Sequence, residues 1–158
     1  MENKINPHFV NAADILVKGV KTPGAFLGFV TDALNWLNEM GETVKEVKEL
    51  KDLRSAHFYL TVIIAELIQK WYEGGENLQS NLAAGMDELY DYSGCDGLND
   101  CICFTIRGLG EELRHSILTP KYIDSLITTI NTLNKIRECF CQVYEETLIR
   151  TERKKAAA

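Results

Sequence analysis

Apolar residues recur at helical spacing along nearly the whole chain, and this repeat constrains the fold more than any other feature. The longest example begins after Thr119-Pro120, a dipeptide suited to capping and starting a helix. Its apolar stripe comprises Ile123, Leu126, Ile127, Ile130, Leu133, Ile136, Phe140, Val143, Tyr144 and Leu148. At about 1.5 Å per residue, the pattern predicts a helix of roughly 50 Å, long enough to pack along a whole bundle.

The same spacing predicts further helices before Thr119, separated by turn-forming residues. The predicted helices cover residues 8–20, 26–47, 53–72, 76–92 and 98–118. The expected breaks are Thr22-Pro23-Gly24, a bend at Gly41, Gly74-Gly75, and the loop Ser93-Gly94-Cys95-Asp96-Gly97. No strand pattern or internal repeat is visible in the sequence. We therefore predict an all-α, single-domain bundle of five or six helices with a long C-terminal helix.

The length of 158 residues fits one domain, which we predict to cover residues 1–155. Ala156-Ala157-Ala158 follows a charged run abruptly and is left out of the fold prediction as an expected cloning remnant.

Several packing details follow from the pattern. The second helix carries a heptad seam, Phe26, Val30, Ala33, Leu37, Met40, Val44 and Val47, expected to pack inside the bundle. Residues 58–68 leave almost no polar face, so the third helix is expected at the centre of the core. Glu66 and Lys70 argue against a membrane span, as does a run shorter than about 20 residues. Gly108 and Gly110 predict close approach of a neighbouring helix.

The charge distribution restricts the class of partner. A net charge of −6 argues against nucleic-acid binding, because phosphate backbones attract basic surfaces. Residues 150–155 nevertheless hold four bases and one acid, a net of +3, so residues 1–149 carry −9. The favoured interpretation is that this basic end complements the helix dipole. The alternative is contact with acidic lipid or with a partner.

Five cysteines are the most chemically suggestive residues: Cys95, Cys101, Cys103, Cys139 and Cys141. They are weak candidates for metal ligands, because helical residues two apart point about 200° away from each other. A disulfide or redox pair between Cys95 and Cys101 is a second hypothesis. Plain packing in the core is the favoured one. No secretory signal follows Met1, so we expect a soluble cytoplasmic protein with reduced thiols.

Motifs for catalysis are lacking. Glu112 and His115 have the Glu-X-X-His spacing of di-iron bundles, but those proteins carry the motif twice, and the favoured interpretation is an exposed polar face. The sequence contains no Gly-X-Ser-X-Gly and no phosphate-binding loop. We therefore expect a protein that is not an enzyme and has no cofactor.

Three functional hypotheses remain open. The leading one is a protein-interaction module, an adaptor or regulator, that binds another protein or itself through a helical face or groove, although the sequence does not indicate which face. The second is a bundle that engages or disrupts membranes through its N-terminal hairpin, residues 15–37. The third is a carrier of a small ligand or metal that uses the cysteine-bearing helices.

Overall fold

The computed structural model describes residues 4–115 and 117–158, and along them the chain is all-α, with no strand. Its helices are α1 (Pro7–Val20), α2 (Pro23–Thr43), α3 (Val47–Ile63), α4 (Gln69–Glu73), α5 (Leu78–His115) and α6 (Pro120–Ala157). A π-helical turn, Ile64–Ile68, joins α3 to α4, and a 3₁₀ turn, Gly75–Asn77, leads into α5. The predicted all-α bundle with a long C-terminal helix is confirmed.

Three helices begin at a polar cap followed by proline. The caps are Asn6, Thr22 and Thr119, and the side chain of each accepts a backbone N–H from the first turn of its helix. This arrangement satisfies a donor that the helix itself leaves unpaired, while proline suits the first helical position because it has no N–H to lose. The starts predicted at Thr22 and Thr119 are therefore confirmed.

The core forms around α5, which contacts every other helix of the bundle. The short helix α1 packs against both α5 and α6, while α2 and α3 pack against each other and against α5. The inward side of α1 is fully buried and consists of Phe9, Ala12, Ala13, Leu16 and Val20. Two alanines in this stripe let α1 lie close to the long helices beside it.

The predicted second helix is shorter than expected. α2 passes through Gly41 without a break and ends at Thr43, and residues 44–46 connect it to α3. Val47 then begins α3 with 69% of its surface exposed, so its assignment to the heptad seam is wrong. Glycine costs a helix only about 1 kcal/mol, and the packing of α2 against α3 and α5 outweighs that cost.

The prediction that the third helix occupies the centre of the core is wrong. Among the described side chains of α3, the π-helical turn and α4, the buried ones are Leu53, Ala56, Leu60, Leu67 and Trp71. Phe58 is 53% exposed and Tyr72 68% exposed, so this region has an outer face. An apolar run does not guarantee complete burial, since more than half of a folded protein's accessible surface is apolar.

The loop predicted at residues 93–97 is instead a one-residue kink. Helix continues on both sides of Gly94, which has φ 70° and ψ 173° and joins the two predicted helices into α5. Glycine adopts this positive φ without the steric penalty that a side chain would bring. Cys95 consequently lies in a helix and is buried, not in an exposed loop.

Of the two glycines predicted to permit close packing, one does so. A Cβ added at Gly108 would lie 3.5 Å from the Cα of Ala33 and 3.4 Å from the ring of Trp36, so α2 and α5 approach closely there. A Cβ at Gly110 would meet nothing within 4 Å, and that half of the prediction is wrong.

Candidate functional site

The last part of α6 extends past the bundle and exposes both apolar and basic side chains. We call residues 144–157 the distal segment of α6. Every residue from 147 to 158 is exposed, and Tyr144, Leu148 and Ile149 leave 43–48% of their surfaces uncovered. Tyr144 and Leu148 are four residues apart and therefore share one face of the helix. The segment ends in the bases Arg150, Arg153, Lys154 and Lys155.

A polar contact with the N-terminus marks the point where α6 leaves the bundle. Glu146 Oε1 lies 2.7 Å from His8 Nε2, and the amide of Asn6 donates to Glu146 Oε2 at 3.5 Å. The hydrogen bond from His8 holds the pKa of Glu146 below its usual range. This contact could not be predicted from the sequence, because residues 8 and 146 are far apart along the chain.

The N-terminal hairpin, the basis of the membrane hypothesis, contributes its apolar side chains to the core. The buried residues of this segment are Leu16, Val20, Phe26, Val30, Ala33 and Leu37. Leu27 is a partial exception, since 41% of its surface is exposed. Within the described part of the chain, no helix combines the length and the apolar character needed to cross a bilayer.

The five cysteines face different neighbours. Cys101 is buried with its Sγ 3.9 Å from the carbonyl oxygen of Ala56 on α3, and burial raises its pKa to about 12. Cys139 is also buried, and its Sγ lies 3.7 Å from Nδ2 of Asn11 on α1. Among the described side chains, which leave out that of His115, no three or more His, Cys, Asp or Glu residues are grouped so that they could hold a metal ion.

The remaining thiols lie along the contact between α5 and α6. We call this group the cysteine seam: Cys95, Asn99 and Cys103 on α5, with Arg137 and Cys141 on α6. The Asn99 amide donates to Cys95 Sγ and to Cys141 Sγ at 3.4 Å each. One turn further along, Arg137 donates to Cys103 Sγ at 3.4 Å.

All five thiols are free, and the second hypothesis, a pair between Cys95 and Cys101, is wrong because the two thiols face different helices. Cys95 Sγ donates towards the carbonyl oxygen of Phe140 on α6 at 3.8 Å, whereas Cys101 faces α3. Residues six apart on a helix are rotated by about 240°, which explains why the two thiols do not share a face. The thiol that Cys95 meets instead is Cys141.

Glu112, the first residue of the Glu-X-X-His spacing, contacts a tyrosine on α6. Its carboxylate accepts a hydrogen bond from Tyr122 Oη at 3.1 Å, and Asp32 lies 3.3 Å from the same hydroxyl. Burial and these two carboxylates raise the pKa of Tyr122 well above its usual range. The side chain of His115 lies outside the described residues. The polar group at Glu112 thus serves to tie α5, α6 and α2 together.

Comparison with protein-family models, with curated proteins and with solved structures finds no significant match. The geometry of the chain is therefore the basis on which a function can be proposed.

Proposed function

We propose that this chain is a protein-interaction module, an adaptor or regulator, that binds its partner through the distal segment of α6. The observation that carries the proposal is the exposure of every residue from 147 to 158 in a helix that continues well past the bundle. About eleven residues project in this way, roughly 16 Å of helix. Because all of these residues are exposed, tertiary packing does not stabilise this end of α6, and a bound partner would do so.

The side chains of the segment define the chemistry of the partner. Tyr144 and Leu148 form a short apolar stripe, and Thr151 and Lys155 continue the same helix face with a polar and a basic side chain. This pattern suits the recognition mode in which a helix lies in a groove and buries one face. The basic end, with its net charge of +3, favours a groove with acidic residues at one end.

A protein groove accounts for these features better than an anionic membrane does. The apolar stripe holds few large side chains, whereas interfacial helices bury a broad apolar face. Residues 1–149 carry a net charge of −9, so the body of the molecule is repelled by an anionic surface. The apolar residues of the N-terminal hairpin would also have to leave the core before they could reach lipid.

The test compares two variants of the full chain with a matched control. The first variant, Tyr144→Glu with Leu148→Glu, removes the apolar stripe. The second variant changes Arg150, Arg153 and Lys154 to glutamate and so reverses the charge of the basic end. The control variant changes three exposed lysines elsewhere to glutamate and so reverses the same number of charges: Lys45, Lys48 and Lys51. Proteins captured by the wild type are purified, and their affinity for each of the four chains is measured.

We expect each variant to weaken binding of the purified partner at least tenfold, and the control to change it less than twofold. A partner that binds all four chains equally would overturn the proposal. Vesicles of anionic lipid and sedimentation velocity are measured in parallel. Binding to vesicles that both variants lose would favour the membrane hypothesis, and concentration-dependent dimerisation that both variants lose would identify a second copy as the partner.

A further inference from the structure

We propose that Cys95 and Cys141 are a modification site at which a hydroperoxide oxidises two thiols to a disulfide between α5 and α6. This inference is independent of the proposed function, since it concerns the cysteine seam and not the distal segment.

The shared hydrogen-bond donor shows that the two thiols are near neighbours. Asn99 Nδ2 lies 3.4 Å from each sulfur, so the two sulfurs are separated by at most twice that distance. Cys95 Sγ also lies 3.8 Å from the carbonyl oxygen of Phe140, which is bonded through its peptide unit to Cys141. The two sulfurs must therefore approach each other by a few ångströms more to reach the S–S bond length of about 2.05 Å.

Solvent reaches this pair from one side. A surface cleft of about 390 Å³ is lined by Asn99, Arg137, Glu138, Cys141, Gln142 and Glu145. Cys141 is half-buried at this cleft, while Cys95 lies behind it with 8% of its surface exposed. A small oxidant therefore meets Cys141 first. Burial raises the pKa of Cys95 to about 11, which disfavours its thiolate and makes it a poor first nucleophile.

The chemistry needs one equivalent of hydroperoxide. The Cys141 thiolate attacks one peroxide oxygen, the O–O bond breaks, and sulfur is oxidised to a sulfenic acid while hydroxide or alkoxide leaves. Cys95, on losing its proton, attacks the Cys141 sulfur, so the S–S bond forms and the S–O bond breaks with release of water. With hydrogen peroxide, two thiols and one peroxide give one disulfide and two waters.

The other three thiols have contacts that do not favour a disulfide. Cys103 is exposed and open to oxidation, but the group described beside its Sγ is the guanidinium of Arg137 at 3.4 Å and not a second thiol. Cys101 and Cys139 are buried against Ala56 and Asn11. Cys103 serves as the internal control for exposure, and Cys101 and Cys139 serve as controls for buried thiols.

The test treats the folded, full-length chain with hydrogen peroxide, blocks remaining thiols by alkylation, and identifies linked peptides by mass spectrometry. Cleavage before Asp96 separates Cys95 from Cys101, and cleavage after Phe140 separates Cys139 from Cys141. The linked peptides therefore identify the pair without relying on any variant. We expect a loss of two hydrogens per chain, located in a link between Cys95 and Cys141 and reversed by dithiothreitol.

Two variants sharpen the result. Cys103→Ser should leave the rate of cross-linking unchanged within twofold, whereas Cys141→Ser should abolish the link and leave Cys95 reduced. The oxidised wild type should also unfold at a higher urea concentration than the reduced protein, because a cross-link restricts the unfolded chain. If the wild type instead links Cys95 to another cysteine, or accumulates oxidised Cys103 with Cys95 and Cys141 still alkylatable, the proposal is overturned.

Discussion

At the scale of single residues, Tyr122 is the polar group that joins three helices. Its hydroxyl donates towards Glu112 on α5 and Asp32 on α2 from the first turn of α6. A single proton thus lies between two carboxylates that would otherwise repel each other. The contribution of this contact to the free energy of unfolding therefore depends on the protonation of the phenol.

Replacing Tyr122 by phenylalanine should therefore lower the free energy of unfolding at neutral pH. A hydrogen bond to a charged group contributes about 1.5–3 kcal/mol, and partial exposure places the expected loss near 1–2 kcal/mol. Urea unfolding at pH 7 measures it. Tyr72→Phe is the control, because Tyr72 is 68% exposed.

The pH dependence of this difference has a definite sign. The pKa of Tyr122 is raised on folding, chiefly by burial and then by the hydrogen bond to Glu112. Its contribution is therefore fully present below the unfolded pKa of about 10 and is lost as the pH rises through the folded pKa. The wild type and Tyr122→Phe should converge in stability above pH 10. A gap that stays constant up to pH 11.5 would contradict this account.

At the scale of helices, the approach of α1 to α6 depends on Gly19. A Cβ added there would overlap Thr132, lying 2.9 Å from its Cβ. The hydroxyl of Thr132 donates to the carbonyl oxygen of Thr128 at 2.8 Å, which holds the side chain in place. The absence of a side chain at Gly19 thus sets the distance between these two helices.

Gly19→Ala should destabilise the protein by about 1–3 kcal/mol through overpacking. Gly28→Ala in α2 is the matched control, because a Cβ there meets nothing within 4 Å, and it should stabilise the helix by up to about 1 kcal/mol. Combining Gly19→Ala with Thr132→Ala should recover part of the loss. Equal effects of the two glycine substitutions on the urea midpoint would show that the helices do not meet at Gly19.

At the scale of the whole molecule, the bundle should be separable from the part of the distal segment that follows Thr147. A chain that ends at Thr147 retains the contact of Glu146 with His8 and loses only exposed side chains. Its free energy of unfolding should change by less than about 0.5 kcal/mol.

A chain that ends at Glu138 is the contrasting case. It loses the buried side chains of Cys139, Phe140 and Val143, and removing a buried phenylalanine side chain alone costs about 3–5 kcal/mol. Calorimetry and urea unfolding of both truncated chains measure the difference. If the chain ending at Thr147 is as unstable as the one ending at Glu138, the distal segment belongs to the fold, and its proposed role in binding would lose its basis.

Local sequence patterns were enough to predict the helical content, the starts at Thr22 and Thr119, the break at Gly74-Gly75 and the long C-terminal helix. These features depend on capping bonds and apolar spacing, which act between residues a few positions apart. The periodicity also predicted α1 and its inward face correctly. The alanine-rich stripe on that face is buried along its whole length.

The tertiary structure alone decided which helix faces are covered. Val47 and Phe58 are exposed although the pattern predicted burial, and Cys95 meets Cys141 on α6 instead of Cys101 on its own helix. The physical reason is that burial and side-chain neighbours depend on how whole helices pack, through contacts between residues far apart in the chain. Local spacing predicts that a helix has an apolar side, and the packing of the other helices determines whether that side is covered.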